Sequence, residues 1–386
     1  MSLIVNTNLT SIVTQKYLST TQSQLAQATQ RLASGLRINS ASDDAAGYAI
    51  AQRLTAQVNG ANTAVQNTNN AVSLAQTAQG SLAEITNNLQ RVRELAVESA
   101  NATNSTSDRS SLNNEAQQLL QEVDRVATTA SFNGVKLLDG SFTSAQFQVG
   151  ANAGDTITIG SISSANTAAL GTVTSATGQS SATSGISALG AVGAGALIIN
   201  GTDVGAGIGA AGSIQDRVGQ VVDAINASAT TTGVNASFDA VNGKIVLTSA
   251  STIAVTGTDD GTATGFNVAG GDGSATAATS TGLTSLSLNS FAGASLAIQQ
   301  IDSALNQINT ANASLGAYQN RFQSAVANLQ STSQNLTAAR STIQDADFAS
   351  ETANETRASV LQQAGVAVLG QANSQPQQIL SLLQHL

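Results

Sequence analysis

Few side chains in this chain are suited to chemistry. His385 is the only histidine, and there is no cysteine. The carboxylates gather as Asp43-Asp44, Asp259-Asp260 and Asp345/Asp347. Two nearby carboxylates can divide general acid and general base duties when their surroundings push their pKa values apart. No histidine pair, thiol or Ser-His-Asp set accompanies them, so the sequence assembles neither a nucleophilic centre nor a metal site. A His-Glu-x-x-His zinc site needs two histidines. The Gly-rich stretches hold no Gly-Lys-Ser/Thr phosphate loop. No enzyme activity and no cofactor are expected. What remains is capping and ion pairing. Ser42 or Asp43 is placed to cap a helix, and Asp43 and Asp44 suit its positive end. Arg31 and Arg37 stand just before this break.

The elements that carry these residues are long helices. Near the C-terminus Ile301, Ile308, Leu315, Phe322, Leu329, Leu336 and Ile343 recur every seventh position. Near the N-terminus Leu54, Ala61, Thr68, Ala75, Leu82, Leu89 and Ala96 do the same. A seven-residue period marks a helix wrapped on another helix. Along the N-terminal row a companion row follows: Val58, Val65 and Val72 sit four after, then Ala78, Ile85 and Val92 three after. That slip implies a helix touching more than one neighbour. An earlier helix over about 3–33 carries Leu18, Leu25 and Leu32. A third is predicted with Ser107 as cap and the stripe Leu112, Ala116, Leu119, Val123, Val126 and Ala130. Helix returns near Phe291, breaks at Ser341–Ser350 and resumes to about Gln371, where Pro376 ends or kinks it.

Between the helical ends the turn signals change. Asn133-Gly134 and Asp139-Gly140 flank a hairpin around Val135–Leu138, and Thr156–Ile159 reads as a strand. Residues of about 160–285 are rich in Gly, Ala, Ser and Thr. They contain a strand at Leu197–Ile199 and a helix opened by Ser213-Ile-Gln-Asp216. Two strands, Ala236–Val241 and Lys244–Thr248, are joined by Asn242-Gly243. The expected fold is therefore mainly α with a smaller β or α+β part. Long antiparallel coiled-coil helices from both termini form a rod, and a central, mostly β or small α/β variable domain projects outward.

Composition narrows the function class. The net charge is −9, and only 10% of the 386 residues are charged. That balance repels nucleic acid. No apolar run reaches the ~20 residues of a membrane span, and the start lacks the pattern of a cleaved leader. Without cysteine, stability outside the cell must come from packing or assembly. The tail Ile379–Leu386 is apolar and needs covering by a partner, a chaperone or further copies.

Several motifs resemble bacterial flagellin, the filament subunit of the flagellum. They are Gln30-Arg-Leu-Ala-Ser-Gly-Leu-Arg-Ile-Asn-Ser-Ala-Ser-Asp-Asp-Ala-Ala-Gly47, Leu89-Gln-Arg-Val-Arg-Glu-Leu-Ala-Val97 and Phe132-Asn-Gly134. Gln319-Asn-Arg-Phe322, Ile343-Gln-Asp-Ala-Asp-Phe-Ala-Ser-Glu351 and Gln371-Ala-Asn373 follow in the family's order. The likeness covers roughly 1–150 and 290–386. Ala224–Ser249 resembles a short repeat of flagellin and filament-cap variable regions.

The resemblance implies an inner coiled-coil terminal domain from 1–43 and 344–386, and an outer helical core from 44–160 and 286–343. Residues 161–285 would be the exposed variable domain. It implies extracellular placement in the flagellum after type III export, a helical homopolymer, and contacts with filament cap and hook-junction proteins. An export chaperone would hold Val360–Leu386. Arg91, Leu95 and Glu115, with Arg91 and Leu95 one turn apart on a shared helix face, would form a subunit-assembly surface buried between stacked copies, and they correspond to the surface that a host innate immune receptor detects on the monomer. Arg31, Arg37, Asp43 and Asp44 would fix inter-subunit register, and Leu54, Leu82, Leu89, Ile301, Ile308, Leu315, Phe322, Leu329 and Leu336 would form the coiled-coil seam. Two other readings stay open here: a hook–filament junction protein, and a secreted adhesin with the middle as its binding part.

Overall fold

A computed structural model describes residues 7–384 apart from Ala102 and Val241, and side chains as far as Ser374. His385 and the side chains of the apolar tail lie outside the described residues. In chain order the elements are α1 (Leu9–Ser34), α2 (Ala45–Ser99), α3 (Thr106–Thr129), β1 (Ser131–Phe132), β2 (Val135–Lys136), β3 (Ala145–Gln148) and β4 (Thr156–Ile159). There follow β5 (Val173–Gln179), β6 (Ile198–Ile199), β7 (Thr202–Asp203), α4 (Ile214–Ala227), α5 (Ala229–Thr232), β8 (Val234–Asp239) and β9 (Lys244–Ser249). The chain closes with β10 (Val255–Thr256), β11 (Ala278–Ser280), α6 (Phe291–Gln344) and α7 (Phe348–Gln384). The protein is mainly α with a smaller β part, as the periodicities require.

Contacts divide the chain into two compact units. One comprises Met1–Thr68, Gln148–Thr156 and Ser324–Leu386. Here α1 and α7 pack antiparallel: Asn8 Nδ2 donates to the Ala372 carbonyl at 2.8 Å, and at the other end Arg31 meets Glu351 at 3.7 Å. Leu18, Leu25 and Leu32 are half-buried along this contact, as their spacing predicts. The start of α2 meets the end of α6 through a small core of Ala61, Ala64 and Leu329. Leu54 and Leu336 are only partly buried at that seam. The polar pairs Asn62–Ser333 and Thr55–Arg340 flank it.

The other unit comprises Asn69–Phe147 and Ile157–Gln323. Leu82, Leu89, Ile301, Ile308, Leu315 and Phe322 are buried along α2 and α6. Ala78, Ile85 and Val92 are fully buried too, so α2 hides two adjacent rows, which explains the slip in its pattern. Arg91 of α2 reaches Glu115 of the neighbouring α3. In α3 the buried residues are Arg109, Ala116, Leu120, Val123 and Ala127, followed by the buried C-cap Ala130, while Leu112, Leu119 and Val126 are half-buried. Phe147 meets Phe322 edge to face, with ring centroids 5.7 Å apart.

Caps explain the helix boundaries. Ser105, not Ser107, caps α3: its hydroxyl accepts from the Asp108 amide, and Asp108 closes a capping box. Only Ser105 has an acidic residue three positions on. For α2 the cap is Asp44, whose carboxylate accepts from the Gly47 amide at 2.9 Å, rather than Ser42 or Asp43. Asp347 accepts the Ala349 and Ser350 amides at the start of α7. Pro376 does not end α7, which continues to Gln384. A proline removes one helical hydrogen bond but does not oblige a helix to stop.

The strands follow their turns. Asn133 and Gly134 have φ of 49° and 81°, the two positive values of a two-residue hairpin, and pair Ser131 with Lys136. A larger sheet has the order β11-β5-β9-β8. Its core, with Phe266, Ile245, Leu247, Val221 and Ile225 fully enclosed, is covered by α4. The β8–β9 connection spans four residues, 240–243, not two, because Asp239 pairs with Lys244. Its carboxylate holds Asn242 through Nδ2 at 2.8 Å.

Gly178 in β5 passes so close to the Gly273 carbonyl that a Cβ there would lie 2.0 Å from its oxygen. Gly178→Ala must therefore shift backbone. It should destabilise the middle sheet by roughly 1–3 kcal/mol or more, read by calorimetric unfolding of the full chain.

Candidate functional site

The residues predicted to matter at the first helix break gather around a clasp between the two helix breaks. α1 ends at Gly35, whose φ of 72° is left-handed and whose amide donates to the Arg31 carbonyl at 2.8 Å. The chain then runs antiparallel to the break between α6 and α7. The Arg37 amide donates to the Gln344 carbonyl at 2.7 Å, and the Ala346 amide to the Gly35 carbonyl at 2.9 Å, around a Leu36–Asp345 bridge. Arg37 Nη2 reaches the Ile343 carbonyl at 2.5 Å. Ile38 is buried beneath. The break thus acts as a miniature sheet, which satisfies carbonyls that the helix ends leave bare.

Each charged side chain here has an intrachain task. Asp43 accepts from the Asn39 amide at 3.1 Å and from the Ser40 amide and hydroxyl at 2.9 and 3.1 Å. Asp44 caps α2. Arg31 Nη1 faces the nearly buried Glu351, while its buried Nε has no hydrogen-bond partner among the described residues. For Glu351 and Gln344 the one sequence signal is their place in the motif Ile343–Glu351; Asp347 stands out in the sequence only as a carboxylate beside Asp345, not as a helix cap.

Above the clasp, the α1/α7 pair is unfinished. Leu9, Ile12, Val13 and Tyr17 of α1 stay exposed, Tyr17 at 70%. So do Phe348, Val360, Leu361, Val366 and Val368 of α7, Val360 at 58%. The buried α1 residues are Ser11 and Ala28 alone among those described. Such a run of bare apolar side chains marks an interaction surface.

In the other unit, Arg91 forks onto Glu115 through Nε at 3.0 Å and Nη2 at 2.9 Å, and its Nη1 contacts Glu94 at 3.0 Å. The Glu94 and Glu115 carboxylates hold the guanidinium pKa above its ordinary value. Arg91 and Glu115 share an exposed surface. Leu95 does not: it is fully buried, so its hydrophobic side chain serves the helix packing and lies outside that surface. Leu95 stands one turn on from Arg91, on the edge of that helix face that packs inward. Among the described residues no group of three or more His, Cys, Asp or Glu could hold a metal ion, and no helix is long and apolar enough to cross a membrane.

Paired end helices with bare apolar faces, together with a separately cored β-containing middle, define a structural protein built to pack against others. Comparison with known proteins is specific. Residues 5–143 match the bacterial flagellin N-terminal helical region, 298–383 the bacterial flagellin C-terminal helical region, and 196–251 the flagellin hook IN motif. The chain is 37% identical to flagellin of Salmonella typhimurium, over 99% of this chain and 100% of that protein. It is 38% identical to flagellin B of Vibrio cholerae, again over 99% and 100%. A solved structure of FliC from Burkholderia pseudomallei aligns with a TM-score of 0.40 and 26% identity, covering 65% of this chain and 99% of that one. The chain belongs to the bacterial flagellin family and is a structural subunit of the flagellar filament used for motility.

The Asp43 pKa lies below the ordinary carboxylate value, chiefly because the Ser40 amide and then its hydroxyl donate to the charged form. This stabilisation is complete above the unfolded value of about 4 and is lost as pH falls through the lowered folded value. The Ser40 amide resonance should therefore move toward its unfolded position only below about pH 4. In Asp43→Asn the loop should already be loosened at neutral pH. Proton NMR of the full chain across an acid titration checks both outcomes.

Proposed function

We propose that this subunit completes its folding by polymerising. The observation that carries the reading is the row of exposed apolar residues on both helices of the α1/α7 pair. Ordering costs about 1–2 kcal/mol per residue. Burial returns only about 25 cal/mol per Å² of apolar area, and a lone pair of Ala-, Thr- and Gln-rich helices buries little. Neighbouring copies would cover what is left. Contacts that repeat without closing then generate a helical filament.

In this reading 1–43 and 344–386 form the inner coiled-coil layer, 44–160 and 286–343 the outer helical layer, and 161–285 the variable domain facing solvent. Arg31, Arg37, Asp43 and Asp44 set inter-subunit register by fixing how the paired ends leave the clasp. The chain passes unfolded through a type III export channel, where the absence of disulfides and the single Pro376 favour threading and rapid refolding. It would reach the cell exterior by that route. Partners follow: an export chaperone that covers the C-terminal helix in helix-in-groove fashion, the filament cap at the growing end, and the hook-junction proteins at the base. Arg91 and Glu115 offer a receptor of the host innate immune system a fixed charged surface on the monomer.

Amide hydrogen exchange tests the coupling. Residues 1–35 and 350–386 should exchange rapidly in the monomer and slowly in the polymer; strong protection of both ends in the monomer overturns the proposal. A receptor-activation assay tests the second surface. Arg91→Ala and Glu115→Ala monomers should signal more weakly than the unchanged chain while retaining its helical circular dichroism.

A further inference from the structure

The four-stranded sheet of the middle region ends on β8, and a free strand edge is a template for pairing with another chain. Backbone alternation shows which residues of β8 face outward. In β9, the Ile245 carbonyl accepts from the Ser180 amide at 2.8 Å, and the Ile245 amide donates to the Ser180 hydroxyl at 2.9 Å. Ile245 therefore faces the β5 side, and Lys244, Val246 and Thr248 face β8. Their partners in β8 are Asp239, Ser237 and Asn235. Val234, Ala236 and Phe238 are left to point away from the sheet.

Two of these three positions are already occupied by side chains of the preceding helical segment. The Val234 amide donates to the Thr232 hydroxyl at 3.2 Å. Ala236 is held on both sides by one carboxamide: its amide donates to Asn226 Oδ1 at 2.8 Å, and its carbonyl accepts from Asn226 Nδ2 at 2.9 Å. The Asn226 side chain thus offers one acceptor and one donor, as a residue of an adjoining strand would. It is aimed by the end of α4, which the fully buried Val221 and Ile225 fix against the sheet. Among the described residues, no side chain bonds the outward face of Phe238, which is 41% exposed.

Strand addition needs successive outward residues, spaced about 7 Å along the edge. Ala236 is the central one of three, so blocking it leaves no two neighbours free. Filament subunits meet many identical copies, and an open edge would let their middle sheets pair with one another. We propose that Asn226 seals β8 against strand addition by a second copy of this chain. This goes beyond the coupled-folding reading and does not depend on it.

Two measurements on the full-length chain test the seal. In the unassembled, unchanged chain, the Ala236 amide should exchange about tenfold or more slowly than the Phe238 amide, the difference a held hydrogen bond makes. Equal exchange at the two positions overturns the proposal whether or not any variant folds. In assembled filaments, Asn226→Ala should cause lateral association, seen as sedimentation at low speed and bundles by electron microscopy. Adding Phe238→Lys, a charge at the edge, should restore dispersed filaments. Asn226→Ala filaments as dispersed as the unchanged ones overturn it.

Discussion

The paired ends depend on the clasp between the first and last helix breaks. A helix pair with small side chains can slide in register at little cost, because Ala seams lack the knobs that lock larger coiled coils. Backbone hydrogen bonds cannot slide without being broken. The bonds from Arg37 to Gln344 and from Ala346 to Gly35 fix which residue of one end stands beside which residue of the other. The Arg31–Glu351 pair and the Asn8–Ala372 bond then lie at matching positions on α1 and α7. The loop that makes the clasp is itself held by Asp43, and Asp44 starts the next helix from it. A few exposed hydrogen bonds thereby set the geometry of some sixty residues of thinly packed helix.

The two kinds of helix packing differ in completeness. Along α2, α3 and α6 in the larger unit, Leu82, Ile85, Leu89, Val92, Ile301 and Phe322 are almost wholly enclosed. That seam finds its partners within one chain. The α1/α7 pair spends large apolar side chains on its outer face and hides Ala28, Ala358 and Ala372 within. A protein meant to remain alone would place them the other way round.

Much of this was legible in the residues. The seven-residue rows located α2 and α6, and the Asn133-Gly134 hairpin formed with the turn its sequence demands. Turn and cap details were less legible where several polar residues compete. Ser105 and Ser107 are both plausible caps until the acid three positions on is considered, and Asp43 and Asp44 exchange roles because the loop needs one of them to hold Ser40. The 240–243 connection lengthens because Asp239 both pairs with Lys244 and holds Asn242. Leu95 went astray for a different reason. A motif carries a residue's identity but not its burial: Leu95 neighbours Arg91 along the helix, yet its side chain is enclosed by the packing while the guanidinium is not. The clasp could not be read at all: hydrogen bonds between backbones three hundred residues apart have no side-chain signature.

The middle region and the ends treat unsatisfied surface in opposite ways. At the ends, apolar side chains are left bare, and their cover is non-directional, graded and reversible. In the middle, the exposed groups at issue are backbone donors and acceptors on a strand edge, where pairing is directional and prone to propagate. Asn226 answers them from within the same chain. A polymer subunit needs this asymmetry. Every copy presents every surface to many others, so the only contacts that should repeat are those whose geometry the clasp has fixed. An apolar stripe in fixed register gives one repeating contact, whereas an unsealed strand edge accepts almost any extended partner. Sealing β8 and baring the apolar stripe removes one unwanted route of association and leaves the ends free to assemble.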